Sequence, residues 1–254
     1  MELLAVHAPE AAAAYVAVQA GAAGTTLPDH PDVSAFAEQF AVDVSVLSDE
    51  QRAAFLAATG HEAFAVVQRV YVADVWPRVR SVLDQVLGAG AWPAPDAAAV
   101  DDLWPLLDDF MRAVARLDAL DPVTTELVRL RGARQHDCRV CRSRRSVAAL
   151  DAGATEETFD ELDRWESSRL PEDRKAALGL TDAMIWTPYA VPAEVVAAAR
   201  AHLTDAQVVE VVLDVARNAA NKIAVALGAD AAEVTEGVQL FTTDADGEVS
   251  TVPG

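Results

Sequence analysis

Alanine, set among Leu, Val, Glu and Arg at helical spacing, limits what this chain can fold into more than any other feature. Ala loses no side-chain freedom in a helix, and the unbranched Leu, Glu and Arg lose little. β-Branched residues rarely alternate with polar ones, so the period of 3.6 outweighs the period of 2. The predicted fold class is all-α. Apolar residues make up 52% of the 254 and aromatics only 6%, so helices rich in small side chains must pack closely. The flat apolar faces they leave suit self-association into a homo-oligomer.

Start and stop signals divide the chain into segments. Helices are predicted over 9–20, 33–42, 48–60 and 61–88, with Ser48 and Gln51 in capping-box spacing, Gly60 as a stop and Pro77 as a kink or break. "GAGAWPAPD" at 88–96 reads as a linker. It separates an N-terminal helical region, 1–95, from a helical core over 96–228. Within the core, Pro105 interrupts a helix over 97–118. Asp121 caps the next helix with Pro122 at its first position, and Asp137 caps another over 138–151. Further helices start at Thr155, Pro171, Pro192 and Thr204, the last with Gln207 in a second capping box and running to Gly228. Most of the circumference of "VVEVVLDVARNAANKIAVALG" is apolar, as expected of a helix inside the core or at a subunit contact. Asn218 and Asn221 on it need partners if buried. The tail, 229–254, has β-type residues on both sides of Asp246-Gly247 and predicts a small hairpin.

Forty acidic residues against twenty basic ones give a formal charge of −20. That argues against nucleic acid as a partner, because phosphate neutralisation needs a basic face. No run of eighteen uncharged apolar residues predicts a membrane span. The Ala-rich start lacks the positive segment of a secretory signal, so the expected location is cytoplasmic. In that compartment a C-x-x-C is more often catalytic, redox-active or metal-binding than structural.

The chain's only two cysteines lie in "HDCRVCRSRRS" at 136–146. With Asp137 as cap, Cys138 and Cys141 fall three apart in one helical turn, close enough to bridge. Helix N–H groups and nearby guanidinium groups both lower a thiol pKa. Residues 131–145 hold Arg131, Arg134, Arg139, Arg142, Arg144 and Arg145, with Asp137 as the one acid, a local charge of +5. These arginines stabilise a thiolate or hold an anion beside it. Alternatively they form a solvated face or pair with carboxylates of another helix. His136, Cys138 and Cys141 offer three ligands to zinc, but a closed structural site wants four and the other histidines are scattered. No metal or other cofactor is expected.

Reading outward from the cysteines, "ELVRLRGARQHDCRVCRSRRSVAALDAG" resembles the carboxymuconolactone decarboxylase and alkylhydroperoxidase-D-like family. Glu126 stands twelve positions before Cys138, in the family's spacing, and the resemblance extends over roughly 107–228. It implies an all-α bundle that assembles into a homo-oligomer, a trimer or else a dimer or hexamer. It implies an enzyme of alkylhydroperoxidase type, in which Cys141 attacks a hydroperoxide, Cys138 resolves the product and Glu126 relays a proton. A dithiol, thioredoxin-like or lipoyl-bearing partner would reduce the disulfide. The position of the family's relay histidine is Arg145, which cannot exchange a proton at working pH. Either Glu126 then acts directly, or His136 substitutes, or peroxidase activity is weak. Arg145, Arg134 and Arg142 are the candidate anion-binding and thiolate-stabilising residues. Two other readings stand beside this one. One is a decarboxylase-like lyase or isomerase acting on a small carboxylate, and the other a non-catalytic redox-sensing module.

Overall fold

The computed structural model describes residues 1–24, 26–88, 90, 92, 96 and 98–252. It is all-α apart from one small sheet. Five helices form the N-terminal region: α1 (Glu2–His7), α2 (Pro9–Ala22), α3 (Pro31–Val42), α4 (Asp49–Thr59) and α5 (Ala63–Leu87). There follow α6 (Trp104–Ala115), α7 (Pro122–Gln135), the short α8 (Arg139–Arg142) and α9 (Val147–Asp151), and α10 (Glu156–Asp160). α11 (Glu172–Trp186), α12 (Ala193–His202), α13 (Asp205–Ala219) and α14 (Asn221–Leu227) complete the helices. Strand β1 (Arg144–Ser146) pairs in parallel with β2 (Gln239–Thr243), which pairs antiparallel with β3 (Val249–Thr251).

Capping chemistry sets most boundaries. Ser48 with Gln51 and Thr204 with Gln207 each form a reciprocal capping box. Asp121 accepts hydrogen bonds from the N–H groups of Val123 and Thr124 at the start of α7. Gly60 and Gly228 close α4 and α14 at positive φ, +55° and +71°, where a Cβ would be strained.

Three proline and helix-end expectations are corrected. α5 runs through Pro77, because Val75, Trp76 and Val79 are all buried and their packing outweighs a cost of about 3 kcal/mol. Pro105 opens α6 rather than interrupting it, its missing N–H falling in the first turn, where no partner is needed. The helix from Thr204 gives way at Ala220 to α14 instead of running unbroken to Gly228. Much of the proposed linker at 88–96 lies outside the described residues.

Central α13 packs against α5, α6, α7 and α11. The main hydrophobic core runs from Leu4 and Phe36 through Tyr71 to Val212 and Ile223, so the N-terminal helices share it with the later ones. Polar ties reinforce this. Tyr15 Oη donates to the Trp76 carbonyl at 3.0 Å while Trp76 Nε1 donates to the Tyr15 carbonyl at 3.1 Å. Tyr71 Oη donates to the Ala216 carbonyl at 2.6 Å, locking α5 to α13. A second, smaller core joins α7 to α9 and α11 through Leu127, Leu130, Ala149, Phe159 and Leu178. The predicted tail hairpin is present. Its turn is held by Asp244 Oδ1, which accepts from the N–H groups of Asp246 and Glu248 at 2.9 Å each. Its docking on β1, which begins six residues after Cys138, was not foreseen. No helix among the described residues is long and apolar enough to cross a membrane.

Candidate functional site

Helix α7 ends in a tight reversal. The N–H of Cys138 donates to the Ala133 carbonyl at 3.0 Å, and Asp137 adopts φ +49°, a left-handed conformation that Asp tolerates. Cys138, rather than Asp137, is therefore the N-cap of the next helix, its Sγ accepting from the Cys141 N–H at 3.4 Å. That helix, α8, spans only Arg139–Arg142. The expected helix over 138–151 is divided because Arg144–Ser146 is drawn into pairing with β2. Cys138 and Cys141 form a disulfide, with Cα atoms 5.3 Å apart and both residues buried.

Each of the six clustered arginines has a carboxylate partner. Arg131 binds Asp182 through two hydrogen bonds of 2.7 and 2.9 Å. Arg139 and Arg144 reach the tail segment, at Asp230 (2.6 Å) and Glu233 (2.7 Å). Asp230 also accepts the Arg139 backbone N–H at 2.9 Å, placing an anion at the start of the C-x-x-C helix. Arg142 pairs with Asp137. Arg134 lies 2.9 Å from Asp163, an ion pair without hydrogen-bond alignment. Arg145 makes a bidentate pair with Glu156, 2.9 Å on each arm, and lies over the Phe159 ring. Arg134, Arg142 and Arg145 line one surface recess with Asp163, and none of the three lines the cavity that Cys141 faces.

That cavity has a volume of about 370 Å³. Cys141 lines it together with Arg112, Arg129, Arg144 and Arg217, with Asn218 and Asn221 from the α13–α14 junction, and with Phe241 and Glu248 from the tail hairpin. Arg129 is fixed by Glu126, which is 2% exposed: Nε donates to Oε2 at 2.6 Å and Nη2 to Oε1 at 2.7 Å. The remaining Arg129 donors reach the carbonyls of Cys141 (2.9 Å) and Arg144 (2.8 Å). Glu126 Oε1 also accepts from the Ser146 N–H at 3.1 Å. Glu126 thus holds the backbone from Cys141 to Ser146, directly and through Arg129, and is not itself among the residues lining the cavity.

His136 lies behind the disulfide. With Cys138, Cys141, Ala133, Arg129, Asn218 and Asn221 it lines a void of about 10 Å³, too small for more than one water. Burial, with Lys222 and Arg78 adding to it, lowers its pKa to about 3, so the imidazole is neutral at working pH. It faces the sulfurs but carries no proton to give up as imidazolium. The structure therefore brings Cys138, Cys141, Glu126 and His136 together and leaves Arg134, Arg142 and Arg145 on another face. Among the described residues no group of three or more His, Cys, Asp or Glu is disposed to hold a metal ion.

The carboxymuconolactone decarboxylase family model matches residues 102–183, which contain Glu126 and both cysteines. Two uncharacterized proteins of Mycobacterium tuberculosis, from two strains, are each 45% identical over 229 residues, covering 87% of this chain and 80% of each relative. This chain belongs to the carboxymuconolactone decarboxylase family. No solved structure matches it.

The matched segment of the family model ends before Arg217, Asn218 and the tail hairpin, so half of the cavity wall comes from outside it. Sequence reasoning passed over Arg129 and Arg217. The signals were there: Arg129 is three residues after Glu126, on the same helical face, and Arg217 is the one basic residue of α13. A second cavity, about 510 Å³, lies between α11 and α12. Trp186 is 45% exposed and walls it with Trp165. Cys138 and Cys141 are not among its lining residues.

Proposed function

We propose that this protein is a thiol-dependent oxidoreductase of alkylhydroperoxidase type, which reduces a hydroperoxide through the Cys138–Cys141 pair. One observation carries the reading. Of the two sulfur-bearing residues, Cys141 opens on the 370 Å³ cavity and Cys138 sits behind it, within bonding distance. A substrate in the cavity meets the attacking thiol first and the resolving thiol is already in place.

The Cys141 thiolate attacks the terminal oxygen of the hydroperoxide. An S–O bond forms, the O–O bond breaks, and the alkoxide leaves and takes a proton to give the alcohol. Two electrons pass from sulfur to oxygen. The Cys138 thiolate then attacks the sulfenic sulfur, the S–S bond forms and hydroxide leaves as water. A dithiol such as a thioredoxin-like or lipoyl-bearing partner restores both thiols by exchange, which a reducing cytoplasm supports. The net positive charge of the guanidinium groups around the cavity favours the thiolate over the thiol. Glu126 acts through Arg129, whose hydrogen bond to the Cys141 carbonyl holds the attacking residue in position. Assembly into a homo-oligomer belongs to the same proposal.

The test is consumption of cumene hydroperoxide with dithiothreitol as reductant. Cys141→Ser should abolish it. A decarboxylase-like lyase would keep its activity in that variant, and a redox sensor would form the disulfide without turnover. Either result would replace this reading.

A further inference from the structure

The charges around the cavity do not balance, and the imbalance sits on one residue. Arg112 is held by Asp108 (2.7 Å) and Glu248 (3.2 Å), the two acids in the cavity wall. Arg129 is held by Glu126 and Arg144 by Glu233. Arg217 is the exception. Among the described residues it makes no ion pair and no side-chain hydrogen bond, although it lines the cavity and is partly buried. Its helical neighbour Asp214 does not neutralise it: burial pushes that carboxyl up to about 8, so it is largely protonated at neutral pH. Burial also lowers the pKa of Arg217 itself, the mark of a cation short of compensation.

Two further donors in the cavity wall are orphaned. Asn218 Nδ2 is buried with no partner, and so is Arg144 Nε. Buried N–H groups are rarely left without an acceptor unless a ligand or water supplies one. A guanidinium and an amide on consecutive residues of one helix end, both lacking acceptors, suit the two oxygens of a carboxylate.

We propose that Arg217, with Asn218, anchors a carboxylate on the hydroperoxide substrate, so that the molecule spans the cavity with its peroxide end at Cys141. This rests on the peroxidase reading above and narrows its substrate to carboxylate-bearing organic hydroperoxides. Arg217 is a specificity-determining residue here, distinct from the thiols that carry the chemistry. Phe241 and Met111 supply the apolar wall between the two ends.

Two measurements separate this inference from the reading beneath it. The first needs no turnover. Benzoate should bind the oxidised wild-type protein by calorimetry, and Arg217→Gln should weaken that binding about ten- to hundredfold, the value of a charged hydrogen-bonded contact. Equal benzoate affinity in both proteins overturns the anion site whatever the enzyme does. The second compares cumene hydroperoxide with its para-carboxylate, using dithiothreitol, which carries no charge. The wild type should favour the carboxylate in kcat/KM by about tenfold or more, and the ratio should fall to about one in Arg217→Gln, with Arg217→Lys between. Turnover of both without preference overturns the inference and leaves the peroxidase standing. Benzoate binding without any turnover overturns the peroxidase and, with it, the hydroperoxide as the bearer of the carboxylate. A third arm replaces dithiothreitol by dihydrolipoate or neutral dihydrolipoamide. Dependence on Arg217 that appears only with dihydrolipoate assigns the carboxylate to the reductant and overturns the proposal.

Discussion

Glu126 and Arg129 are joined by two hydrogen bonds of 2.6 and 2.7 Å, and the guanidinium so fixed donates to the carbonyl oxygen of Cys141, twelve residues on. One turn of α7 thereby sets the position of the thiol-bearing loop. Glu126 is 2% exposed, so removing it strands a buried cation. Glu126→Ala should lower stability by about 3–5 kcal/mol in chemical denaturation. Removing Arg129 as well should recover part of that loss, since no unpaired charge remains. A loss below about 1 kcal/mol for the single variant would mean that the pair is open in solution.

The order of the two thiols can be read separately. After one equivalent of hydroperoxide, Cys138→Ser should stop at a sulfenic acid on Cys141 that a dimedone-type probe labels. Cys141→Ser should show no such adduct. The wild type should instead lose the mass of two hydrogens, mapped between Cys138 and Cys141. Labelling on Cys138 would reverse the assigned roles.

The tail hairpin forms one wall of the cavity, and Gly247 is where it touches the bundle. That residue has φ +79°, and a Cβ there would overlap the carbonyl of Arg112. Gly247→Ala should destabilise the docked hairpin by about 1–3 kcal/mol through strained backbone and steric overlap. Limited proteolysis should then cut the tail sooner, and dithiothreitol should reduce the disulfide faster. Unchanged rates of both would show that the hairpin does not cover the site.

Stability should fall on the alkaline side. Burial raises the Asp214 carboxyl to about 8, with Glu210 adding to this and Arg217 opposing it. Glu210 is raised to about 7, again by burial, against the N–H groups of Ala119 and Leu120. The folded chain therefore keeps protons that the unfolded chain releases, and stability declines as pH rises through these values. His136 works the other way. Its pKa is lowered to about 3, so stability is lost as pH falls from 6.5 toward that value. Between pH 6.5 and 8 His136 no longer contributes, and each raised acid lowers stability by up to about 1.4 kcal/mol per pH unit. Asp214→Asn should flatten the melting temperature across this window. A wild-type profile already flat there would remove the argument.

Much of the fold was legible because its signals are local. A cap residue bonds to N–H groups two or three positions away, so Ser48, Asp121 and Thr204 could be identified without knowing anything distant. The Asp246-Gly247 turn is local in the same sense. A break at Pro77 was open to expectation because the proline's cost is local, while the packing that carries α5 through it is not. The C-x-x-C pair stood out by spacing and Glu126 through the family resemblance, and the structure gathers them around one loop.

The arginines show where such reading ends. Six of them near the thiols carry a local charge of +5, yet Asp182, Asp163, Asp230, Glu233 and Glu156 come from other elements to meet five of them. Arg217, seventy-six residues after Cys141, makes no ion pair at the cavity among the described residues. Most helix starts, the thiol spacing and the family were determined by the sequence itself, because backbone propensity and motif spacing act over a few residues. Which guanidinium keeps a free charge beside Cys141 was decided only by tertiary structure, because ion pairing depends on separations of a few ångströms between side chains that the fold alone brings together.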